Sequence, residues 1–261
     1  MKRVLAVALL VVTGCNNPEK KGNESMSGAY KMTYQRIKGG KTDTTYTSRQ
    51  QLKIFSEDFM MYAHVTPPDS AGSFGIGSYD YVKDTVSESI VYTASDSTSS
   101  LNPGTYKLFI KKTDKGYIQI IPNIISEGEM YELTEEYEAV GTSSKSSLDG
   151  TWKKIKRLEI NGTDTILHTG DVQFKAYYAG HVIWGDNYTD TLNKNHTAIG
   201  FGKFEMNGNK VKESMMESTY AAVRGHDFDI EIEMMGVDDF KQTITNADGS
   251  KSVEFYQRLK K

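Results

Sequence analysis

Cysteine, tryptophan, proline and histidine are all scarce: the 261 residues hold one, two, five and five of them. A lone cysteine excludes an internal disulfide, so each domain must be held by its own core. The histidines (His64, His168, His181, His196 and His226) are never spaced i, i+2 or i, i+4, and no HExxH occurs. A zinc site would need tertiary contacts alone, and no metal is expected. No Gly-x-Ser-x-Gly elbow offers a nucleophile. We therefore expect no catalytic residues, no cofactor and no enzyme. A net charge of −3 provides no basic field for nucleic acid. The apolar run from Val4 to Val12 is too short for a bilayer, which takes about 20 residues.

Lys2 and Arg3 precede that run, and Thr13-Gly14-Cys15 follows it. A charged start, a short apolar stretch and small residues before a cleavage point describe an export leader. Small residues followed by cysteine resemble the lipobox of bacterial lipoproteins. In that family the thiol receives a diacylglycerol, the leader is cut before the cysteine, and the new amine is acylated. The resemblance implies a leader over 1–14 and a lipidated Cys15 that makes the membrane a partner. Asn16 stands where an aspartate would retain a lipoprotein in the inner membrane of enteric bacteria, which leans towards the outer membrane. Residues 15–27 then form the lipidated cysteine and a polar tether.

Beyond the tether the chain repeats itself. Gly28-Ala29-Tyr30-Lys31 aligns with Gly150-Thr151-Trp152-Lys153. Phe74-Gly75-Ile76-Gly77-Ser78-Tyr79 aligns with Ile199-Gly200-Phe201-Gly202-Lys203-Phe204. Val86-Ser87-Glu88-Ser89 matches Val211-Lys212-Glu213-Ser214, and Gly116-Tyr117-Ile118-Gln119 matches Asp239-Phe240-Lys241-Gln242. The copies span 28–140 and 150–261. Residues 141–149, rich in Ser, read as a flexible linker.

Sixteen tyrosines and ten phenylalanines favour strands. Asp227-Phe228-Asp229-Ile230-Glu231-Ile232-Glu233-Met234 puts its acids on one face and its apolar residues on the other. That predicts a half-buried antiparallel strand. Asn161-Gly162 and Asp248-Gly249 suit tight hairpins. Seven to nine strands per copy, joined by short turns, predict two tandem all-β, antiparallel up-and-down barrels, since closure removes their edges.

At this point the chain resembles the lipocalin-like (calycin) barrels. Gly150-x-Trp152 is similar to that family's first-strand signature. The resemblance implies that a late arginine, here Arg258, packs over Trp152 and closes the barrel floor. In the first copy Tyr30 replaces the tryptophan, and Glu138 lies where the arginine would be expected. The Gly-x-(Tyr/Phe) and Val-x-Glu motifs resemble lipocalin-like domains of bacterial lipoproteins of unknown function.

An eight-stranded barrel has room for packed side chains or one small ligand. Tyr62 and Trp184 hold equivalent places, and Met215 and Met234 add adaptable surface, beside Met216 and Met235. They line an apolar pocket or form plain core; both readings stay open. A pocket predicts an open apolar lumen that takes a small hydrophobic ligand. Filled barrels predict a closed lumen and a surface for a protein partner. Glu88 and Glu213 are expected in strand-face ion pairs or turn hydrogen bonds. The acids from Glu127 to Glu138 are expected on a solvated strand face. Asp followed by Ser or Thr recurs at Thr44, Ser70, Thr85, Ser97, Thr165 and Thr191. The pattern resembles O-glycosylation acceptors of some Gram-negative bacteria, or else marks turns that lead into strands.

Overall fold

A computed structural model describes residues 25–66, 71–95, 98–126 and 128–261. Cys15, Ser70 and Ser97, with the leader and most of the tether, lie outside the described residues. The first copy contains β1 (Gly28–Gly39), β2 (Thr42–Tyr46), β3 (Gln50–Phe55), β4 (Phe59–Thr66), β5 (Ala71–Val82), β6 (Thr85–Ser95), β7 (Thr98–Thr113), β8 (Gly116–Ser126) and β9 (Glu129–Ala139). The second contains β10 (Gly150–Asn161), β11 (Asp164–His168), β12 (Val172–Tyr178), β13 (His181–Thr189), β14 (Asn195–Asn207), β15 (Lys210–Ser218), β16 (Asp227–Met234), β17 (Asp239–Thr245) and β18 (Lys251–Arg258). Every described pairing is antiparallel between chain neighbours, and β1–β9 and β10–β18 close each sheet on itself. β2 and β3 pair with the two halves of β1, as β11 and β12 do with β10, so each is one interrupted stave. The result is two closed eight-stranded barrels in tandem, all β.

The repeated Gly-x-Gly of β5 and β14 has a steric cause. A Cβ at Gly75 would lie 2.5 Å from the Tyr62 ring, and one at Gly200 2.5 Å from Trp184. These glycines let an inward aromatic lie flat across the neighbouring strand. A Cβ at Gly77 would lie 2.4 Å from Ser89 O, and one at Gly202 2.0 Å from Ser214 O. Both sit at register shifts, where a bulge bends the strand enough to close the barrel.

The barrels dock through their outer walls. Leu52, Ile54, Met61, Ala63, Val65, Phe74 and Ile76 form one buried cluster with Phe174, Ala176, Ile183, Ile199 and Phe201. Tyr92 donates to Asn187 Oδ1 at 3.0 Å, and the Ser56 and Thr151 hydroxyls lie 3.0 Å apart. A Cβ at Gly185 would lie 2.5 Å from the Phe74 ring, so glycine permits this approach. Strands covered on both faces lose their alternation and read as continuous apolar runs. Met60-Met61-Tyr62 is one such run: Met60 and Tyr62 face the lumen, and Met61 faces the other barrel.

Two expectations are corrected here. Residues 141–149 are not a loose tether: Leu148 is buried in the second core, and Trp152 Nε1 donates to Leu148 O at 2.8 Å. Thr142 N also donates to Ala179 O. A serine-rich composition does not report these tertiary anchors. The counterpart of Arg258 is Ala139 rather than Glu138, because Trp152 pairs with Arg258 and Tyr30 with Ala139.

Candidate functional site

Alternation along the strands sends a matching set of polar residues into each lumen. In the first barrel they are Lys53, Glu88, Gln119, Glu135 and Tyr137, all buried. Lys53 Nζ lies 2.7 Å from Glu88 Oε1, an ion pair off the line of a hydrogen bond, and donates to Gln119 Oε1 at 2.9 Å. Glu135 accepts from Gln35 at 2.7 Å, Gln119 at 2.9 Å and Tyr137 at 2.8 Å. Arg49 in turn donates to Gln35. The second barrel repeats the set as Lys175, Glu213, Gln242, Glu254 and Tyr256. Lys175 Nζ meets Glu213 Oε1 at 3.0 Å, Gln242 Oε1 at 2.9 Å and the Tyr177 hydroxyl at 3.1 Å. Gln242 and Tyr256 donate to Glu254 at 3.0 and 2.7 Å. Burial, with the nearby carboxylates, pushes the Tyr62, Tyr137, Tyr177 and Tyr256 phenols up, so they stay neutral donors.

These networks depart from the open apolar lumen with few buried charges that the pocket reading predicts. They also turn Glu88 and Glu213 inward, into ion pairs across the barrel rather than along a strand face. Glu135 likewise leaves the solvated row of acids to which its neighbours Glu132 and Glu138 belong. Recurrence at the same places in both barrels favours bracing of the barrel wall over chemistry peculiar to one site.

Above the network the two lumens differ. The first holds a cavity of about 280 Å³. Its floor is Gln51, Lys53, Glu88, Gln119, Glu135 and Tyr137, and its walls are Tyr62, Ile90, Thr93, Tyr106, Ile121, Ile124 and Leu133. In the second, residues 219–226 fold over the corresponding end. Tyr220 stacks on Trp184 with ring centroids 6.4 Å apart, Val223 packs on the core, and Arg224 donates to Ser218 O at 2.8 Å. The four residues read as a candidate pocket therefore separate. Tyr62 lines the first cavity, whereas Trp184, Met215 and Met234 pack in the second core. Met216 and Met235 face outward.

The floor of the second barrel has Arg258 Cζ 4.0 Å above the Trp152 ring. Arg258 donates to Asp149 O at 2.6 Å and to Val237 O at 3.1 Å. Gly150, at φ +139°, leaves the space the guanidinium fills: a Cβ there would be 1.9 Å from Arg258 Nη1. In the first barrel, Tyr30 meets Phe55 and Tyr117 edge-on, and Met26 is buried in the same cluster.

Thr85 opens β6, and Thr44 and Thr165 lie beside turns in β2 and β11. Thr165 and Thr191 are exposed, whereas Thr44 and Thr85 are half-buried. The preceding acids have turn roles: Asp43 takes a two-pronged bond from Arg36, and Asp190 accepts from the Leu192 and Lys194 amides. The histidines stay scattered, and among the described residues no three His, Cys, Asp or Glu gather as a metal site.

The barrels differ at titrating positions on the matched strands β4 and β13. His64 is inward in β4, and burial, with Arg49 nearby, pushes its ring down to about 4. Asp186 holds the matching place in β13, and burial pushes it up to about 6 despite Lys154. A depressed histidine supports the fold above its unfolded value of about 6.5 and loses that support as pH falls. A raised carboxyl favours the fold when protonated and loses that support as pH rises through 6. Acidification from pH 7 to pH 5 is therefore expected to weaken the first barrel by about 1 kcal/mol, and to change the second less, because Asp186 gains while the buried His181, whose ring burial pushes down, loses. Hydrogen exchange resolved by strand would show this; equal shifts of one sign in both barrels would refute it.

No family model and no curated protein matches this chain. Among solved structures, one similar chain is a protein of unknown function from the DUF3598 family of Nostoc punctiforme. It has 9% identity and a TM-score of 0.27, over 89% of this chain and 96% of that one. Another is a mutant of transferrin binding protein B, a vaccine antigen from Haemophilus parasuis. It has 9% identity and a TM-score of 0.25, over 87% of this chain. This chain spans 64% of that protein's length.

Proposed function

We propose that this is a lipid-anchored lipoprotein of the bacterial envelope, in the outer membrane, whose first barrel binds a small ligand without catalysis. The cavity over the Lys53–Glu88 floor carries the binding half of the reading. Its apolar walls and polar floor suit an amphiphile better than a purely apolar molecule. The leader and Cys15 carry the anchoring half. The second barrel fits the alternative of a filled, structural barrel, because Trp184 and Tyr220 occupy its end.

One mass measurement tests both halves. Protein from its own host, denatured, is expected to have lost residues 1–14 and gained the mass of a diacylglycerol and an acyl chain. Cys15→Ser should retain the leader and gain no lipid. Under native conditions a further small mass, lost on denaturation, is expected. An unlipidated wild-type chain would sink the anchor, and a bare native mass would count against an occupied barrel. A covalent sugar excess would support glycan on the Asp-Ser/Thr sites, to be located by peptide mapping.

A further inference from the structure

The wall of the first barrel is not continuous. β7 and β8 pair only from Phe109↔Ile120 to Thr113↔Gly116. Above that point, among the described residues, β7 pairs only with β6 and β8 only with β9. The two hairpins part, leaving a seam beside Ile121–Ile125. The free length is about five residues, or roughly 16 Å. β7 shows the effect directly: from Thr98 to Lys107 nearly every residue is exposed, on both faces of the strand. In the second barrel β16 also pairs with β17 only over Glu231–Met234, but it keeps an in–out alternation that β7 lacks.

The sequence keeps this seam from zipping. Pro103 stands on one bank and Pro122 on the other, and neither has an amide hydrogen to donate. Asn102 and Asn123 have positive φ, 51° and 59°, and register shifts with β6 and β9 accompany both. Bulges of this kind bend a strand away from its neighbour. The same prolines make the banks poor templates for an added β-strand from another chain.

The seam opens onto the cavity. Tyr106 on one bank and Ile121 and Ile124 on the other line both. Below them the charges are already compensated: Lys53 faces Glu88, and Glu135 receives Gln35, Gln119 and Tyr137. A charged head group would have to break those partnerships, whereas a hydroxyl or amide could share them. At about 30 Å³ per water-sized group, 280 Å³ holds roughly nine non-hydrogen atoms. A longer molecule must project out.

We propose that the first barrel takes a single-chain amphiphile with an uncharged polar head, seated on the Lys53–Glu88 floor, whose chain leaves sideways through the β7–β8 seam. This rests on the binding reading above and adds the head-group class and the exit. The test is calorimetric titration of the whole mature chain without its lipid (residues 16–261) with 1-hexanol, 1-octanol, 1-decanol and 1-dodecanol. Decanoate and decylammonium are titrated for comparison.

Affinity should rise about three- to fourfold per methylene to octanol and then level off without falling through dodecanol. Both charged decyl compounds should bind at least tenfold more weakly than decanol. Ile124→Asp should weaken dodecanol much more than hexanol. An affinity that falls beyond octanol would mean a closed cavity and would overturn the seam while leaving the binding reading intact. Equal binding of the charged compounds would overturn the head-group assignment. No binding of any alcohol would overturn the binding reading itself.

Discussion

Lys175→Met is expected to destabilise the second barrel by about 3–5 kcal/mol, because it leaves Glu213 buried without its cation. Glu213 is only 4% exposed and cannot recover its solvation from water. Lys175 also supplies donors to Gln242 and Tyr177, so three acceptors lose a partner in one substitution. Adding Glu213→Leu should recover most of the loss, since an apolar pair of similar volume is often neutral against a buried ion pair. Both tryptophans, Trp152 and Trp184, lie in this barrel, so urea unfolding followed by tryptophan fluorescence reports on it alone. If the double variant were no more stable than Lys175→Met, the ion pair would not be the source of the loss.

Trp152→Ala should cost about 3–5 kcal/mol by the same assay, with Trp184 as the remaining probe. The indole is fully buried, meets Phe240 edge-on at 4.7 Å and lies beneath the Arg258 guanidinium. Removing it opens a cavity at the floor and leaves Leu148 O without its donor. Arg258→Ala should cost less, about 1–2 kcal/mol, since it loses a cation–aromatic contact and bonds at a partly exposed edge. A Trp152→Ala loss below about 1 kcal/mol would show that the indole does not hold the floor together.

Much of this was legible in the residues. The duplicated Gly-x-Gly and Val-x-Glu motifs marked two copies of one barrel, and the Asp227–Met234 alternation marked a half-buried strand. Lys53 and Lys175 were missed for a physical reason. Each sits between apolar neighbours, Leu52 and Ile54 or Phe174 and Ala176, which suggests an outward lysine on a half-buried strand. Docking of the barrels reverses that reading, because the apolar face is the interface and the lysine points into the lumen. A usable signal existed: Lys53-x-Phe55 and Lys175-x-Tyr177 stand at the same spacing as the other repeat matches. The seam had a weaker trace in Pro103 and Pro122, since proline inside a strand belongs at an unpaired edge.

The sequence by itself determined the strands, their turns, the duplication and the exclusion of an internal disulfide. These depend on local conformational preference and on side-chain period, which neighbouring residues set. Only the tertiary structure decided which face of each strand is lumen and which is interface, and that one lumen stays open while the other is filled. Those outcomes depend on contacts between residues distant along the chain, such as Phe74 on Gly185 and Tyr220 on Trp184. A period of two is the same whichever face turns inward.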